Sequence, residues 1–171
     1  MSEAVVVRRA RIADVRTIKS IIDAYVGKVL LSKELVTLYE DVQEFWVAEW
    51  DGELIGCGAL HVLWEDIAEI RTIAVLPHAL RLGVGGRLVE RLVAVARELG
   101  LARVFVLTFE TAFFGSLGFR EINGTPVTPK VFEELLRSYD EGVAEFLDLE
   151  RVKPNTLGNT RMLLHLEMEE G

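Results

Sequence analysis

Apolar residues recur along the chain with two periods, one of strands and one of helices. Val5 to Arg9 is a β-branched run that predicts a first strand. Asp14 then stands where a helix cap belongs, ahead of Val15, Ile18, Ile21, Ile22, Tyr25 and Val26 at helical spacing. A second helical pattern, Leu35, Val36, Leu38, Tyr39 and Val42, follows the polar Ser32 and Lys33, and a short segment, Gly27 to Ser32, connects the two. Phe45 to Trp50 and Glu53 to Leu63 read as two strands joined by Asp51-Gly52, a hairpin signal because both residues accept positive φ. Ala68 to Val75 predicts a further strand closed by Pro77. After the glycines at 83, 85 and 86 comes a helix carrying Leu88, Val89, Leu92, Val93 and Ala96 up to Gly100. Val104 to Leu107 predicts a buried strand, and Ala112 to Leu117 a short helix ending at Gly118. Past Phe119 the pattern predicts a helix near Lys130 to Tyr139, an irregular stretch through Pro154 and Gly158, and a last strand near Met162 to Leu166. Strands first, then a strand–helix–strand crossover, predict an α/β fold with a mixed central sheet flanked by helices.

Composition narrows what such a fold does. The 171 residues are half hydrophobic, enough for a single domain over 1–171 with its own core. Charge is 19 Lys+Arg against 27 Asp+Glu, net −8, which argues against non-specific nucleic-acid binding because that depends on counterion release by cations. A single cysteine, Cys57, forms no internal disulfide, and with no Cys/His cluster in the sequence a reducing cytoplasm and a metal-free protein are expected. Arg8, Arg9 and Arg11 interrupt the N-terminal apolar run, and the longest charge-free stretches fall short of the ~18 residues of a spanning helix, so neither export nor a membrane is expected.

The most informative segment is Ile70-Arg71-Thr72-Ile73-Ala74-Val75 followed by Arg81-Leu82-Gly83-Val84-Gly85-Gly86-Arg87. A strand, a glycine-rich turn and a helix N-terminus form an anion cradle: the backbone can approach closely, unpaired N–H groups point outward, and the helix dipole favours negative charge. A pyrophosphate fits there, although a tight strand-to-helix connection explains the glycines equally. The turn lacks the Gly-Lys-Ser/Thr ending of a P-loop and does not match GxGxxG.

With the downstream Phe113-Phe114-Gly115-Ser116-Leu117-Gly118-Phe119, this segment resembles the GNAT superfamily of acyl-CoA N-acyltransferases, over about Val5 to Glu121. The resemblance implies the GNAT fold and acetyl-CoA as co-substrate, without a metal. Carried over residue by residue, the backbone of Ile73, Ala74 and Val75 would pair with the pantetheine arm, and the amides of Arg81, Leu82, Gly83, Val84, Gly85 and Gly86 would hold the pyrophosphate. Leu80 departs from the pattern, which has Gln or Arg there. Phe114, counted with the cofactor site, replaces the tyrosine that many members use as general acid, so no acid comes from that position.

Gly27-Lys28-Val29-Leu30-Leu31-Ser32-Lys33, Glu44 to Glu49, Val104 to Thr108 and Lys153 to Arg161 are similar to amino-acid N-acetyltransferases that make N-acetylglutamate. The likeness is greatest to the short stand-alone form of actinobacteria. At 171 residues the chain leaves room for the transferase domain alone. This resemblance implies L-glutamate as acceptor, the first step of arginine biosynthesis, and L-arginine as a candidate inhibitor. A homodimer through the C-terminal strands is expected, as GNAT proteins often form.

An amino-acid ammonium must lose a proton before it attacks a thioester. Glu69 is the first candidate base, acting through a water, and Glu110 the second; Glu69 equally fits a solvated strand-edge carboxylate. A strand amide near Ile73 or Ala74 would stabilise the oxyanion. A thiol pKa near ~8.5 makes the leaving group tolerable, so water or Thr108 would suffice as donor, with Tyr139 a further candidate if the C-terminal region folds over the cleft. Lys33, Arg71 and Arg161 are candidate partners for the carboxylates of glutamate, with Asn159 and Thr160 adding neutral hydrogen bonds. The nearest rival is the same chemistry on another acceptor, glutamine, another amino acid, a polyamine or a protein N-terminus, and carboxylates such as Glu44, Glu49 and Glu110 in place of those cations would favour a cationic one. A non-catalytic acyl-CoA-binding module is the alternative of a different class. Cys57 reads as a small core hydrophobe, and His61, His78 and His165 share no metal-ligand spacing.

Overall fold

The computed structural model describes residues 4–25 and 33–167. The expected connection over Gly27 to Ser32, and Val26 of the first helix, lie outside the described residues. Seven strands, β1 (Val6–Arg9), β2 (Phe45–Trp50), β3 (Glu53–Trp64), β4 (Ile67–Val75), β5 (Arg103–Thr108), β6 (Arg120–Glu121) and β7 (Thr160–His165), line up in the order β1-β2-β3-β4-β5-β7-β6. β4 and β5 are parallel, whereas β1–β2, β2–β3, β5–β7 and β6–β7 are antiparallel, so the sheet is mixed as expected. The helices are α1 (Val15–Asp23), α2 (Leu35–Glu40), α3 (Val84–Glu98), α4 (Thr111–Ser116), α5 (Pro129–Leu135), α6 (Glu141–Phe146) and α7 (Lys153–Thr156).

The chain divides into two compact units. One takes the residues up to His61 together with Ile70–Leu99. Asp51 and Gly52 both carry positive φ, 52° and 75°, the primed hairpin turn whose twist matches the flanking strands β2 and β3. Val15, Ile18, Ile21 and Ile22 of α1 pack with Leu38, Phe45, Val47, Cys57 and Ala59. A second cluster sets Val84 and Leu88 of α3 against Ala48, Ile55 and Val75. Gly56 and Gly58 lie beneath α3: a methyl at Gly56 would come within 3.1 Å of Val84, and one at Gly58 within 3.2 Å of Leu92. The missing side chains let the helix rest directly on the strand.

The other unit takes Val62–Glu69 and the chain from Gly100 onward. Phe105, Phe146, Leu135, Val143 and Leu163 form its core, with Phe105 and Phe146 edge to face at 4.8 Å.

Several elements differ from the sequence expectation. Asp14 does not cap α1; its Oδ2 accepts the Arg11 N–H at 2.7 Å, closing the preceding 3-10 turn, and Arg8 grips both its oxygens at 2.8 and 3.1 Å. The helix expected to reach Tyr139 stops at Leu135, leaving the Tyr139 side chain fully exposed in solvent and not over any cleft. The stretch expected to be irregular holds α6 and α7, whose short apolar patterns give little periodic signal. β7 begins at Thr160, two residues earlier than expected.

Candidate active site

The glycine turn folds as a 3-10 turn, Pro77–Leu82, followed by Gly83 in the left-handed conformation (φ 69°) and then α3. Gly83 carries no side chain that caps the helix, and the first helical bond closes only at Arg87, whose N–H donates to Gly83 O. The amides of Val84, Gly85 and Gly86 are therefore the donors a helix start leaves without intrahelical acceptors. Val84 is fully buried and anchors the turn, while Arg81, Leu82 and Gly83 are exposed. A methyl built on Gly83 or Gly86 meets nothing within 4 Å, so the surface at this helix start is open. Unpaired amides at a helix start suit a phosphate ester.

The strand leading into the turn carries a break in its alternation. Thr72 has φ 59°, a conformation that strains a β-branched residue by roughly 1–3 kcal/mol. Residues two apart on a strand share a face. Here Arg71 lies beside Leu38, Phe45 and Ala59, whereas Ile73 packs with Val84 and Leu88 under α3. Thr72 thus swaps the two sides of β4 and turns Arg71 toward a pocket. Ala74 and Val75 are buried, and the Val75 carbonyl accepts the Tyr25 hydroxyl. The Cys57 thiol donates to the Thr72 carbonyl at 3.7 Å and lies against the Ala74 backbone, and Ile73 and Ala74 both stand as candidate oxyanion donors. Burial pushes that thiol up to about 12, the Ala74 backbone opposing, consistent with an inert core cysteine.

The pocket is lined by Lys33, Leu38, Asp41, Glu44, Phe45, Ala59, Arg71 and Thr72. It brings together two of the three expected cations, Lys33 and Arg71, and adds the carboxylates Asp41 and Glu44. Sequence reasoning missed Asp41 and Thr72, and placed Glu44 only with a cationic acceptor. Glu44 ends a 3-10 turn, Val42–Glu44, and its Oε1 lies 2.7 Å from His61 Nδ1 on β3. Glu49 instead pairs with Arg8 at 2.9 Å.

In the other unit, Glu69 is buried at 3% exposure and pairs in register with Phe105, so it is no solvated edge residue. Thr108 and Thr160 are cross-strand partners, one residue past the Leu107–Arg161 pair. Alternation from Phe105 places Glu69 and Arg161 on one face and Thr108 on the other. Thr108 and Glu69 therefore do not face the same side of the sheet, and Thr108 Oγ1 accepts the Glu110 N–H at 2.8 Å, shaping the turn into α4. Glu110 itself is exposed at the start of that helix.

Two expected roles change. Arg161 donates from Nε to Gly124 O at 2.9 Å and from Nη2 to Phe146 O, with its guanidinium 4.9 Å from the Phe105 ring centre. Burial lowers its pKa from the ordinary arginine value, Asp148 and Glu69 opposing. It straps the C-terminal unit together through these carbonyls. Phe114, 4% exposed, sits edge to face with Phe113 and Phe119 at 5.0 and 5.3 Å, a core position that leaves almost no surface for a cofactor. Asn159 and Thr160 are half-buried at the start of β7. Among the described residues no group of three or more His, Cys, Asp or Glu could hold a metal ion, and no helix is long and apolar enough to cross a membrane.

Residues 18–120 match the Acetyltransferase (GNAT) family. An amino-acid acetyltransferase of Mycobacterium tuberculosis is 65% identical over 164 residues, covering 94% of each chain. A crystal structure of a Mycobacterium tuberculosis protein in complex with CoA and a second ligand superposes with a TM-score of 0.93 at 64% identity, over 95% of this chain and 99% of that one. N-acetylglutamate synthase from Neisseria gonorrhoeae, complexed with coenzyme A and N-acetyl-glutamate, shares the fold with a TM-score of 0.77 at 24% identity; the alignment covers 98% of this chain and 36% of that one.

Proposed function

The chain belongs to the GNAT acetyltransferase family, and from that premise we propose that it transfers acetyl from acetyl-CoA to the α-amino group of L-glutamate. The observation that carries the acceptor is the pocket in which Lys33 and Arg71 converge beside the Thr72 turn. Two cations suit a dicarboxylate, Arg71 through bidentate pairing. The 65% identical relative named as an amino-acid acetyltransferase supports the same class of acceptor.

Acetyl-CoA supplies the activated acyl carbon. The amides of Val84, Gly85 and Gly86 are the donors for its pyrophosphate, with Arg81 a further contact, and the β4 backbone at Ile73 faces the pantetheine arm. The amide of Ile73 or Ala74 stabilises the oxyanion as the amine attacks. Glu69 is the proposed base through a water, and Glu110, exposed, is its alternative. Solvent protonates the departing thiolate, since Phe114 carries no hydroxyl. In this reading the enzyme is a single-domain, cytoplasmic homodimer at the first step of arginine biosynthesis, and L-arginine is a candidate inhibitor.

The test is release of free CoA thiol by the purified chain over a panel of amino acids, polyamines and peptides, with L-arginine added in a second series. The highest kcat/KM is expected with L-glutamate. A polyamine or peptide as the best acceptor would replace the acceptor assignment. Acetyl-CoA binding with no thiol release from any acceptor would make the protein a binding module.

A further inference from the structure

We infer that Glu44, held in place by His61, is the contact for the ammonium of the acceptor, and so selects an amino acid over a plain dicarboxylate. The inference rests on the amino-acid acceptor proposed above. The pocket carries charges of both signs, Lys33 and Arg71 with Asp41 and Glu44. A dicarboxylate requires only the cations; a zwitterion also requires a negative group for its ammonium. Glu44 has the chemistry and the support for that task. A carboxylate only accepts, so the 2.7 Å contact is a bond donated by His61 Nδ1–H to Glu44 Oε1. That bond engages Oε1, and the Glu44 side chain lines the pocket beside Lys33 and Arg71.

The backbone fixes both members. β2 and β3 pair Phe45 with Ala59, which places His61 beside the residues entering β2, where the 3-10 turn delivers Glu44. Both side chains are about three-quarters removed from water, at 21% and 28% exposure, so the contact is partly desolvated and a charged hydrogen bond formed there is strengthened. Thr72 lines the same pocket, so an ammonium held by Glu44 lies beside the strained segment of β4 that precedes the Ile73 amide. His61 is a positioning residue that acts through Glu44.

Titration calorimetry of the CoA-loaded protein with L-glutamate and with glutarate, which lacks the amine, tests this. Glu44→Gln is expected to weaken L-glutamate about tenfold, the size of one charge-assisted hydrogen bond, and to leave glutarate unchanged or tighter. His61→Ala should move L-glutamate the same way by a smaller factor. His61→Asn, whose amide stands near the Nδ1 position, should restore it to within about twofold. Equal weakening of both ligands by Glu44→Gln, no effect on either, or no glutarate binding to any variant would overturn the inference. Failure of the wild-type protein to acetylate any amino acid would instead overturn the proposed function, and the thiol-release assay reads that separately.

Discussion

Gly86→Ala separates folding from cofactor binding at one position. Gly86 is the third residue of α3, and a methyl added there meets no atom within 4 Å. Replacing a helical glycine with alanine in unobstructed space gains up to ~1 kcal/mol through backbone entropy and helix propensity. For a domain of this size that corresponds to a rise in Tm of about 2–4 °C. With the pyrophosphate held at the amides of Val84, Gly85 and Gly86 as proposed, the same methyl would crowd a phosphate oxygen. Displacing a phosphate oxygen from one such donor forfeits a hydrogen bond to a charged group, roughly 1.5–3 kcal/mol. The KM for acetyl-CoA should therefore rise about ten- to a hundredfold while the KM for the acceptor stays within about twofold. Differential scanning fluorimetry and steady-state kinetics on the same preparation read both quantities. A higher Tm with an unchanged KM for acetyl-CoA would show that the turn does not hold the cofactor. A lower Tm would refute the packing argument.

Gly56→Ala should do the reverse, losing about 1–3 kcal/mol in a denaturant titration, because its methyl would sit 3.1 Å from Val84, 3.2 Å from Leu88 and 3.2 Å from the Ala74 carbonyl, and that backbone atom cannot swing aside. Arg161→Met should lower stability by about 2–4 kcal/mol, since the carbonyls of Gly124 and Phe146 lose their donor; unchanged stability with a raised KM for the acceptor would restore Arg161 as a ligand contact. The hydrogen bonds from Arg8 hold the Asp14 carboxyl below the usual carboxylate range, burial opposing. A depressed native pKa contributes stability above the unfolded value near ~3.9 and loses it as pH falls through the native one. Asp14→Asn should therefore cost about 1–2 kcal/mol at pH 7, with screening by solvent keeping it near the lower figure, and the gap to wild type should close in acid unfolding once the pH falls below the ordinary carboxylate range.

Local signals carried much of this protein. Asp51-Gly52 marks the hairpin because two consecutive positive φ values suit few residue pairs, and the structure gives 52° and 75° there. The turn at Gly83 and the helix behind it were equally legible, since a left-handed glycine followed by apolar residues at helical spacing is a short-range pattern. Pairings between distant segments were not. Asp14 has the right position for a cap but a stronger partner in Arg8, brought in by β1. Arg161 looked like a ligand contact in a polar tail, and its carbonyl partners lie 37 and 15 residues away in sequence. Glu44 and His61, 17 residues apart, meet only through the register of β2 on β3. The reversal of faces at Thr72 leaves no mark in residue types, because a threonine in a strand ordinarily alternates. Residue types and spacing determine turns, helix starts and periodicity, whose energies are local; which charges share a pocket is decided by long-range packing that alone can impose the strained conformation at Thr72.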